Sequence, residues 1–312
     1  MSKTTMGIHH ITAIVGQPQE NVDFYAGVLG LRLVKQTVNF DDPGTYHFYF
    51  GDEGGKPGTI ITFFPWVGAR QGRIGDGQVE VTSYVVPQGA LSFWEKRLEK
   101  FTIPFTKIKR FGELYLEFDD PHGLHLALVE REAGEKNTWS IGDITSDVAI
   151  KGFGGATLLS AQPEKTAELL KDVMGLEEVG EEGDIVRFQA PADIGNVIDL
   201  KRTSVGRGLM GVGTVHHIAF RASDDNDQLD WKRFLRGKGY APTPVKDRNY
   251  FNSIYFREHG EILFEIATDQ PGFALDESHE KMGEKLMLPA QFEPHRDKIE
   301  SILLPFEVRE VE

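Results

Sequence analysis

Two pairs of adjacent histidines could do chemistry in this chain, which has only ten histidines in 312 residues. His9 and His10 lie in the apolar segment IHHITAI, and His216 and His217 lie in the similar segment VHHIAF. A lone histidine on an apolar strand is usually a hydrogen-bonded core residue. Two pairs in matching contexts instead favour a metal site, because imidazole is the commonest metal-binding side chain.

The spacing within each pair does not say which histidine is the ligand. Neighbouring side chains on a strand normally point to opposite faces, so each pair should offer one ligand and one residue with another role. The apolar residues around each pair are too evenly spread to decide between the two.

A third candidate ligand, Glu265, is the single carboxylate of the apolar segment ILFEIA. A buried ionised carboxylate is costly unless it is paired or metal-bound, although a strand with one solvated face could carry it easily. Two histidines and a carboxylate make up the facial triad that suits Fe(II), and zinc accepts the same ligands. The ligand types therefore predict a metal site without choosing the metal.

These candidates lie in a chain that repeats one arrangement four times. Each repeat reads as a strand, a helix and three strands, and the echo of LGLRLV in MGLEEV supports the repetition. The sequence therefore predicts an α+β fold of four βαβββ modules followed by a C-terminal extension. The predicted bounds are 7–65 for module one, 78–130 for module two, 150–203 for module three, 212–268 for module four and 269–312 for the extension.

Only modules one and four carry the histidine pairs. Alignment of the module openings places Gly155 of module three where module one has His10, and Val81 of module two where module four has His217. We therefore expect modules one and four to pair and to hold the metal site together. Modules two and three should pair with each other.

Three local predictions follow from the same patterns. Counting from Gly58 and Gly260 places Phe63 of module one at the position of Glu265, so a carboxylate there is special to module four. A strand is predicted over 242–247, and the extension is predicted to contain a short helix around 294–303.

Composition limits the classes of function. The net charge of −14 argues against a nucleic-acid partner, which would require a basic face. The absence of cysteine excludes a cysteine-rich structural zinc site. The first residues lack the apolar run of a signal peptide, and no stretch is long enough to cross a membrane, so we expect a cytoplasmic protein.

Over essentially its full length, the chain resembles the vicinal-oxygen-chelate superfamily, also called the glyoxalase/bleomycin-resistance/dioxygenase family. More narrowly, it is similar to the MhqO type of ring-cleaving dioxygenase and to hydroquinone dioxygenases that open chlorinated rings. The motifs that carry the resemblance are IHHIT at 8–12, GTIITFFP at 58–65, VHHIAF at 215–220, DRNYF at 247–251 and FE at 264–265.

The resemblance implies that each pair of modules, one with four and two with three, forms a cup-shaped mixed β-sheet barrel. It also implies a role for seven residues. It makes the second histidine of each pair a metal ligand, which gives the set His10, His217 and Glu265. It implies supporting or acid–base roles for His9, His216, Arg248 and Tyr255. From the residues alone, Arg248 could equally be a surface charge in a polar turn, and Tyr255 a plain strand aromatic. The other six histidines are predicted to be structural or solvent-facing: His47, His122, His125, His259, His279 and His295.

The function that the resemblance implies is an Fe(II)-dependent, extradiol-type dioxygenase that acts on a hydroquinone or a catechol with O2. Manganese, zinc or nickel could replace iron in purified protein, and a homo-oligomer is left open. One alternative is a glyoxalase-like isomerase or lyase that uses zinc or nickel. Such relatives usually bring a second carboxylate from the paired module, where Phe63 is expected here. The other alternative is a metal-free, ligand-sequestering resistance protein.

Overall fold

The structure, a computed structural model, describes residues 3–311. Within that range, sixteen strands form two eight-stranded mixed sheets, accompanied by a few short helices. We call the sheet built from modules one and four the first cup, and the sheet built from modules two and three the second cup. Both the α+β fold and the non-sequential pairing of the modules are confirmed.

The strands and helices follow the predicted order in every module. Module one contains β1 (Ile8–Val15), α1 (Pro18–Val22) continuing as a π-helix (Asp23–Val28), β2 (Arg32–Asn39), β3 (Asp42–Gly51) and β4 (Ile60–Pro65). Module two contains β5 (Gln78–Val86), α2 (Leu91–Lys100), β6 (Phe105–Arg110), β7 (Glu113–Asp119) and β8 (His125–Glu130).

Module three contains β9 (Gly152–Leu159), α3 (Pro163–Glu168) continuing as a π-helix (Leu169–Val173), β10 (Glu177–Glu182), β11 (Ile185–Gln189) and β12 (Val197–Lys201). Module four contains β13 (Thr214–Ala222), α4 (Asp225–Gly237), β14 (Lys246–Asp247), β15 (Phe251–Arg257) and β16 (Leu263–Pro271). The extension contains three 3-10 turns (Phe273–Leu275, His279–Lys281, Glu293–His295) and α5 (Arg296–Ile302).

The first cup has the strand order β14-β15-β16-β13-β1-β4-β3-β2, and the second has β10-β11-β12-β9-β5-β8-β7-β6. At the centre of the first cup, β1 and β13 pair antiparallel, which joins the two modules. The strand with His9 and His10 therefore lies directly beside the strand with His216 and His217. Glu265 is on β16, the other neighbour of β13.

The repeated LGLRLV and MGLEEV segments have a backbone explanation. Gly30 and Gly175 end the two π-helices with φ angles of 68° and 73°, a left-handed conformation that favours glycine. The same turn therefore leads from helix to strand in modules one and three.

The strand predicted over 242–247 is wrong in its extent. Only Lys246–Asp247 pairs as a strand, because Pro242 and Pro244 have no backbone N–H to donate to a ladder. The helix predicted around 294–303 is present as α5. None of the helices described in residues 3–311 is long and apolar enough to cross a membrane.

Candidate metal centre and its cavity

Two β-bulges explain how adjacent histidines come to lie side by side. One bulge leaves His9 without a partner opposite β13, and the other leaves His216 without a partner opposite β1. A bulge inserts one residue into a ladder and re-aims the side chains around it. Strict alternation of faces therefore fails at both pairs.

Each pair is joined by a hydrogen bond between ring nitrogens. The Nδ1 atoms are 2.9 Å apart in His9 and His10 and 2.8 Å apart in His216 and His217, with the rings nearly perpendicular in both pairs. Only one Nδ1 of each pair can carry the shared proton. When His10 and His217 donate from Nδ1, the neutral rings present a bare lone pair at Nε2.

These Nε2 atoms converge on the carboxylate of Glu265. The two Nε2 atoms of His10 and His217 are 3.3 Å apart, and Glu265 Oε2 lies 2.9 Å from that of His217 and 3.4 Å from that of His10. All three side chains are buried, and their donor atoms lie within 4.8 Å of one another. The structure thus brings together the three predicted ligands, which lie far apart in sequence.

The carboxylate of Glu265 is anchored on one oxygen only. Ser253 Oγ donates a hydrogen bond to Oε1, whereas Oε2 is buried and has no hydrogen bond of good geometry among the described residues. Burial would raise the pKa of Glu265, but protons on the facing imidazoles of His10 and His217 lower it well below its usual range. When both imidazoles are neutral and turn their Nε2 lone pairs toward Glu265, the carboxylate has no positive charge beside it, so the donor set suits a bound metal ion.

The residue of module one that corresponds to Glu265 is Thr62, which corrects the expectation for Phe63. Glu265 faces Ala219 on β13, and Thr62 faces Thr12 on β1. Ala219 and Thr12 each lie two residues beyond a candidate ligand, so the positions are equivalent. Counting from the glycines misplaced the position by one residue, and such a slip moves a side chain to the opposite face of a strand.

Phe63 accordingly lies in the core rather than at the site. Its ring is 4.3 Å from that of Tyr25 on the π-helix of module one. Thr62 accepts or donates hydrogen bonds with Thr12 and His47 instead. The described residues of module one therefore place no carboxylate at the fourth position of the cluster.

A cavity of about 300 Å³ opens over the cluster, which is enough for a small aromatic ring. Aromatic side chains supply most of its wall. The lining residues are His10, Asn39, Phe40, Asp41, Asp42, His47, Tyr49, Phe64, Trp66, His216, His217, Arg248, Phe251 and Tyr255.

Three of the four residues predicted to support the chemistry line this cavity. Arg248 Nε donates to the Tyr255 hydroxyl at 3.1 Å, and Arg248 Nη2 donates to Asp41 at the same distance. Burial and the nearby Glu265 raise the pKa of Tyr255, so the phenol stays protonated. Burial opposes the charge of Arg248, but Tyr255 and Asp41 raise its pKa above the usual value.

The neighbours of the two candidate ligands differ in their access to the cavity. His216 lines it, and burial together with the adjacent His217 lowers the pKa of His216 to about 3. His9 is buried behind His10, outside the cavity wall, with its ring 5.2 Å from that of Phe251. His9 is therefore placed to orient His10 rather than to touch a substrate.

Sequence reasoning missed His47 and Ser253 as residues of this site. His47 was predicted to be structural or solvent-facing, but it lines the cavity and bonds Tyr49 and Thr62. The alternation of His47 and Tyr49 with apolar Phe48 could have indicated a polar face on β3. Ser253, which holds Glu265, carried no such signal. The other five histidines predicted to be structural lie outside the cavity wall: His122, His125, His259, His279 and His295.

The fold and this cluster define a class of protein. The chain belongs to the Glyoxalase/Bleomycin resistance protein/Dioxygenase superfamily, whose sequence model matches residues 7–139 and 152–266. Glyoxalase I from Zea mays superposes with a TM-score of 0.63 at 12% identity, covering 84% of this chain and 92% of that one, which shows a shared fold.

Particular relatives are more similar. The chain is 77% identical to the Bacillus subtilis (strain 168) protein named "Putative ring-cleaving dioxygenase MhqO", with both chains covered completely. It is 35% identical to the "Chlorohydroquinone/hydroquinone 1,2-dioxygenase" of Sphingobium indicum, over 94% of each chain. A crystal structure titled "putative dioxygenase" from Bacillus subtilis has a TM-score of 0.99 at 77% identity, covering 99% of this chain and 100% of that one.

Proposed function

We propose that this chain is a metal-dependent, extradiol-type ring-cleaving dioxygenase that inserts both atoms of O2 into a hydroquinone or catechol-like ring. One observation carries the proposal: three buried donor atoms converge at the base of an aromatic cavity of about 300 Å³. The names of the relatives, which include a hydroquinone 1,2-dioxygenase, support the choice of substrate.

His10, His217 and Glu265 would hold the metal, and we propose Fe(II), with manganese, zinc or nickel as replacements in purified protein. Two histidines and one carboxylate form the facial triad typical of non-haem iron oxygenases. Bound there, Fe(II) would supply the electron transfer that O2 needs to react with a closed-shell aromatic ring. The protein's own contribution is binding, orientation and charge.

Arg248 and Tyr255 form the charged wall of the cavity. Because Arg248 Nε already donates to the Tyr255 oxygen, the phenolic proton of Tyr255 is free to point at a substrate oxygen. A guanidinium beside that phenol stabilises negative charge that develops on the substrate. We propose that Tyr255 acts as a general acid and that Arg248 stabilises the developing anion.

His216 is proposed to donate a hydrogen bond from Nε2 into the cavity. When His217 donates from Nδ1 to His216 Nδ1, neutral His216 must carry its proton on Nε2. We propose that His9 fixes the tautomer of His10 in the same way, from a buried position. Such partners orient ligand imidazoles and tune their basicity.

The isomerase alternative is disfavoured by the fourth position of the cluster. A glyoxalase-like site would draw a second carboxylate from module one, but Thr62 occupies that place and bonds Thr12 at 2.8 Å. The Thr62 hydroxyl is hydrogen-bonded to Thr12 and His47, so we propose that it does not act as a ligand. That side of the cluster would then be open to substrate or O2.

Anaerobic reconstitution with Fe(II), followed by oxygen uptake on a panel of hydroquinones and catechols, tests the proposal. We expect one O2 consumed per ring opened. An iron-loaded protein that takes up no oxygen, yet isomerises thiol adducts with zinc or nickel, would overturn it. Metal content of His10→Ala, His217→Ala and Glu265→Ala tests the ligand set, with His125→Ala on the opposite cup as the matched control.

A further inference from the structure

The wall of the cavity that module one supplies carries a second tyrosine. Tyr49 on β3 faces Thr62 on β4, just as Tyr255 on β15 faces Glu265 on β16. The two tyrosines therefore occupy equivalent positions in the two modules of the first cup. Both line the cavity, but only Tyr255 has the charged partner Arg248.

Tyr49 begins a chain of hydrogen bonds that runs into the sheet. Its hydroxyl lies 2.9 Å from His47 Nδ1, and His47 Nε2 lies 2.8 Å from Thr62 Oγ1. Thr62 Oγ1 lies 2.8 Å from Thr12 Oγ1. The His47 ring also packs between two aromatic rings, with its centre 4.1 Å from that of Tyr49 and 4.5 Å from that of Phe64. Hydrogen bonds and packing together hold His47 in place.

The hydrogen bonds of this series can point in either of two directions, because imidazole has two neutral tautomers. In one direction Tyr49 donates to His47, and the Tyr49 oxygen can accept a hydrogen bond from a ligand in the cavity. In the other direction His47 donates to Tyr49, and the Tyr49 hydroxyl can donate a hydrogen bond to that ligand. Burial raises the pKa of Tyr49 and lowers that of His47, so both groups are neutral in either state.

We propose that the Tyr49 hydroxyl, oriented by His47, binds the substrate oxygen that lies on the side of the ring remote from the metal cluster. Tyr255 has its ring 5.5 Å from the ring of the candidate ligand His217. The ring of Tyr49 instead lies 6.3 Å from that of Phe251, and Phe251 in turn lies 4.9 Å from the candidate ligand His10. Tyr49 is therefore the tyrosine of the cavity wall that suits an oxygen on the far side of the substrate ring. The inference rests on the proposed function.

His47 is a positioning residue in this arrangement, and Tyr49 is the group that touches the substrate. The tautomer of His47 decides whether Tyr49 donates or accepts. The wall can therefore follow a substrate oxygen that changes from hydroxyl to carbonyl character, without any charged group.

Anaerobic calorimetric titration of the Fe(II)-loaded protein with hydroquinone and with phenol tests this role. Phenol lacks the remote hydroxyl. Tyr49→Phe should bind hydroquinone about tenfold more weakly and phenol equally well, the effect of one lost hydrogen bond. Tyr46→Phe is the matched control, because Tyr46 lies on the same strand but stacks on Phe48 outside the cavity.

His47→Phe should also lose the preference for hydroquinone over phenol, and the double variant should lose no more than either single variant, because both changes remove one interaction. Equal weakening for both ligands, additive losses, or no change in Tyr49→Phe would each overturn the assignment. Oxygen uptake reports on the proposed function separately. Wild-type protein that prefers hydroquinone through Tyr49 but consumes no oxygen would refute the dioxygenase and leave the binding role intact.

Discussion

Each cup buries one carboxylate at the same position of its sheet. In the first cup, Glu265 on β16 faces Ala219 of β13. In the second cup, Asp199 on β12 faces Thr157 of β9. The module alignment makes Ala219 and Thr157 equivalent, so Glu265 and Asp199 correspond. The surroundings of the two carboxylates differ in the source of positive charge.

The second cup even repeats the two bulges of the first. They leave Gly154 and Glu80 unpaired where the first cup has His9 and His216. The bulges therefore belong to the scaffold and are not created by the histidines. The two cups differ in the side chains at the bulges and not in the bulges themselves.

Arg187 supplies the cation of the second cup. Its Nε and Nη2 donate to the two oxygens of Asp199 at 2.8 and 2.9 Å, and its Nη1 donates to Glu113 at 2.8 Å. Arg131 donates to Glu113 as well, at 2.6 and 3.0 Å. The chain thus satisfies its buried carboxylate internally here. In the first cup, Glu265 has one serine and two imidazoles, and the proposed metal ion would supply its positive charge.

The largest predicted effect is a loss of stability caused by a substitution in the second cup. Arg187→Met keeps the apolar stem but leaves Asp199 buried without a cation, which should cost about 3–5 kcal/mol of unfolding free energy. Chemical denaturation measures the loss, and metal binding in the other cup should be retained. A loss below about 1 kcal/mol would show that Arg187 does not compensate Asp199.

The double variant Arg187→Met with Asp199→Leu is the control for that change. Replacement of a buried ion pair by apolar residues is often neutral, whereas removal of one partner is not. The double variant should therefore recover most of the lost stability.

The second prediction concerns the first cup and has two opposite readouts. Glu265→Gln should weaken metal binding more than about a hundredfold, a larger loss than that of a supporting residue, and abolish oxygen uptake. In the metal-free protein the same change should leave the unfolding free energy equal or higher, because a neutral amide needs no cation. Metal content and denaturation measure the two effects. Asp199→Asn, by contrast, should destabilise the protein in either state.

The third prediction uses pH to test the second cup. Partial burial would raise the pKa of Glu113, but hydrogen bonds from Arg131, Tyr115 and Arg187 lower it from 4.5 to about 2. A carboxyl whose pKa is lower in the folded state stabilises the protein above pH 4.5, and that contribution is lost as the pH falls toward 2. In a fully buried site such a shift would correspond to about 3.4 kcal/mol. Because Glu113 is partly exposed, we expect Glu113→Gln to cost about 2 kcal/mol at pH 7 and progressively less on acidification.

Glu135→Gln is the matched control, because Glu135 pairs with Lys56 on the exposed surface. Exposed pairs contribute little, so its unfolding free energy should follow the wild type at every pH. A constant difference between Glu113→Gln and wild type from pH 7 to pH 3 would contradict the lowered pKa.

The architecture could be read from the sequence because it rests on periodic patterns. The absence of histidine at Gly155 and Val81 was enough to predict which modules pair. The bulges could not be predicted, since nothing in IHHIT or VHHIAF marks an extra residue in a ladder. The shift from Phe63 to Thr62 has the same origin: a count along the chain misses where the register starts. Contacts such as that of Ser253 with Glu265 depend on strand pairing and leave no local pattern.

The smallest predicted effect tests whether that serine matters to the cation. Ser253→Ala removes the donor to Glu265 Oε1, so the carboxylate can rotate away from His10 and His217. Loss of such a partner should weaken metal binding about tenfold, with little change in the stability of the metal-free protein. Competition with a metal chelator measures the affinity.

Ser160→Ala is the control for that measurement, because Ser160 is also buried and bonds Thr166 at 2.7 Å, away from the cluster. It should leave metal affinity unchanged. If both serine variants bound metal as the wild type does, the orientation of Glu265 would be set by its strand alone. The two cups would then differ only in the cation beside the carboxylate, which is Arg187 for Asp199 and the proposed metal ion for Glu265. A carboxylate whose position is fixed by its strand can pair with either kind of cation, so the neighbouring side chains decide which one binds.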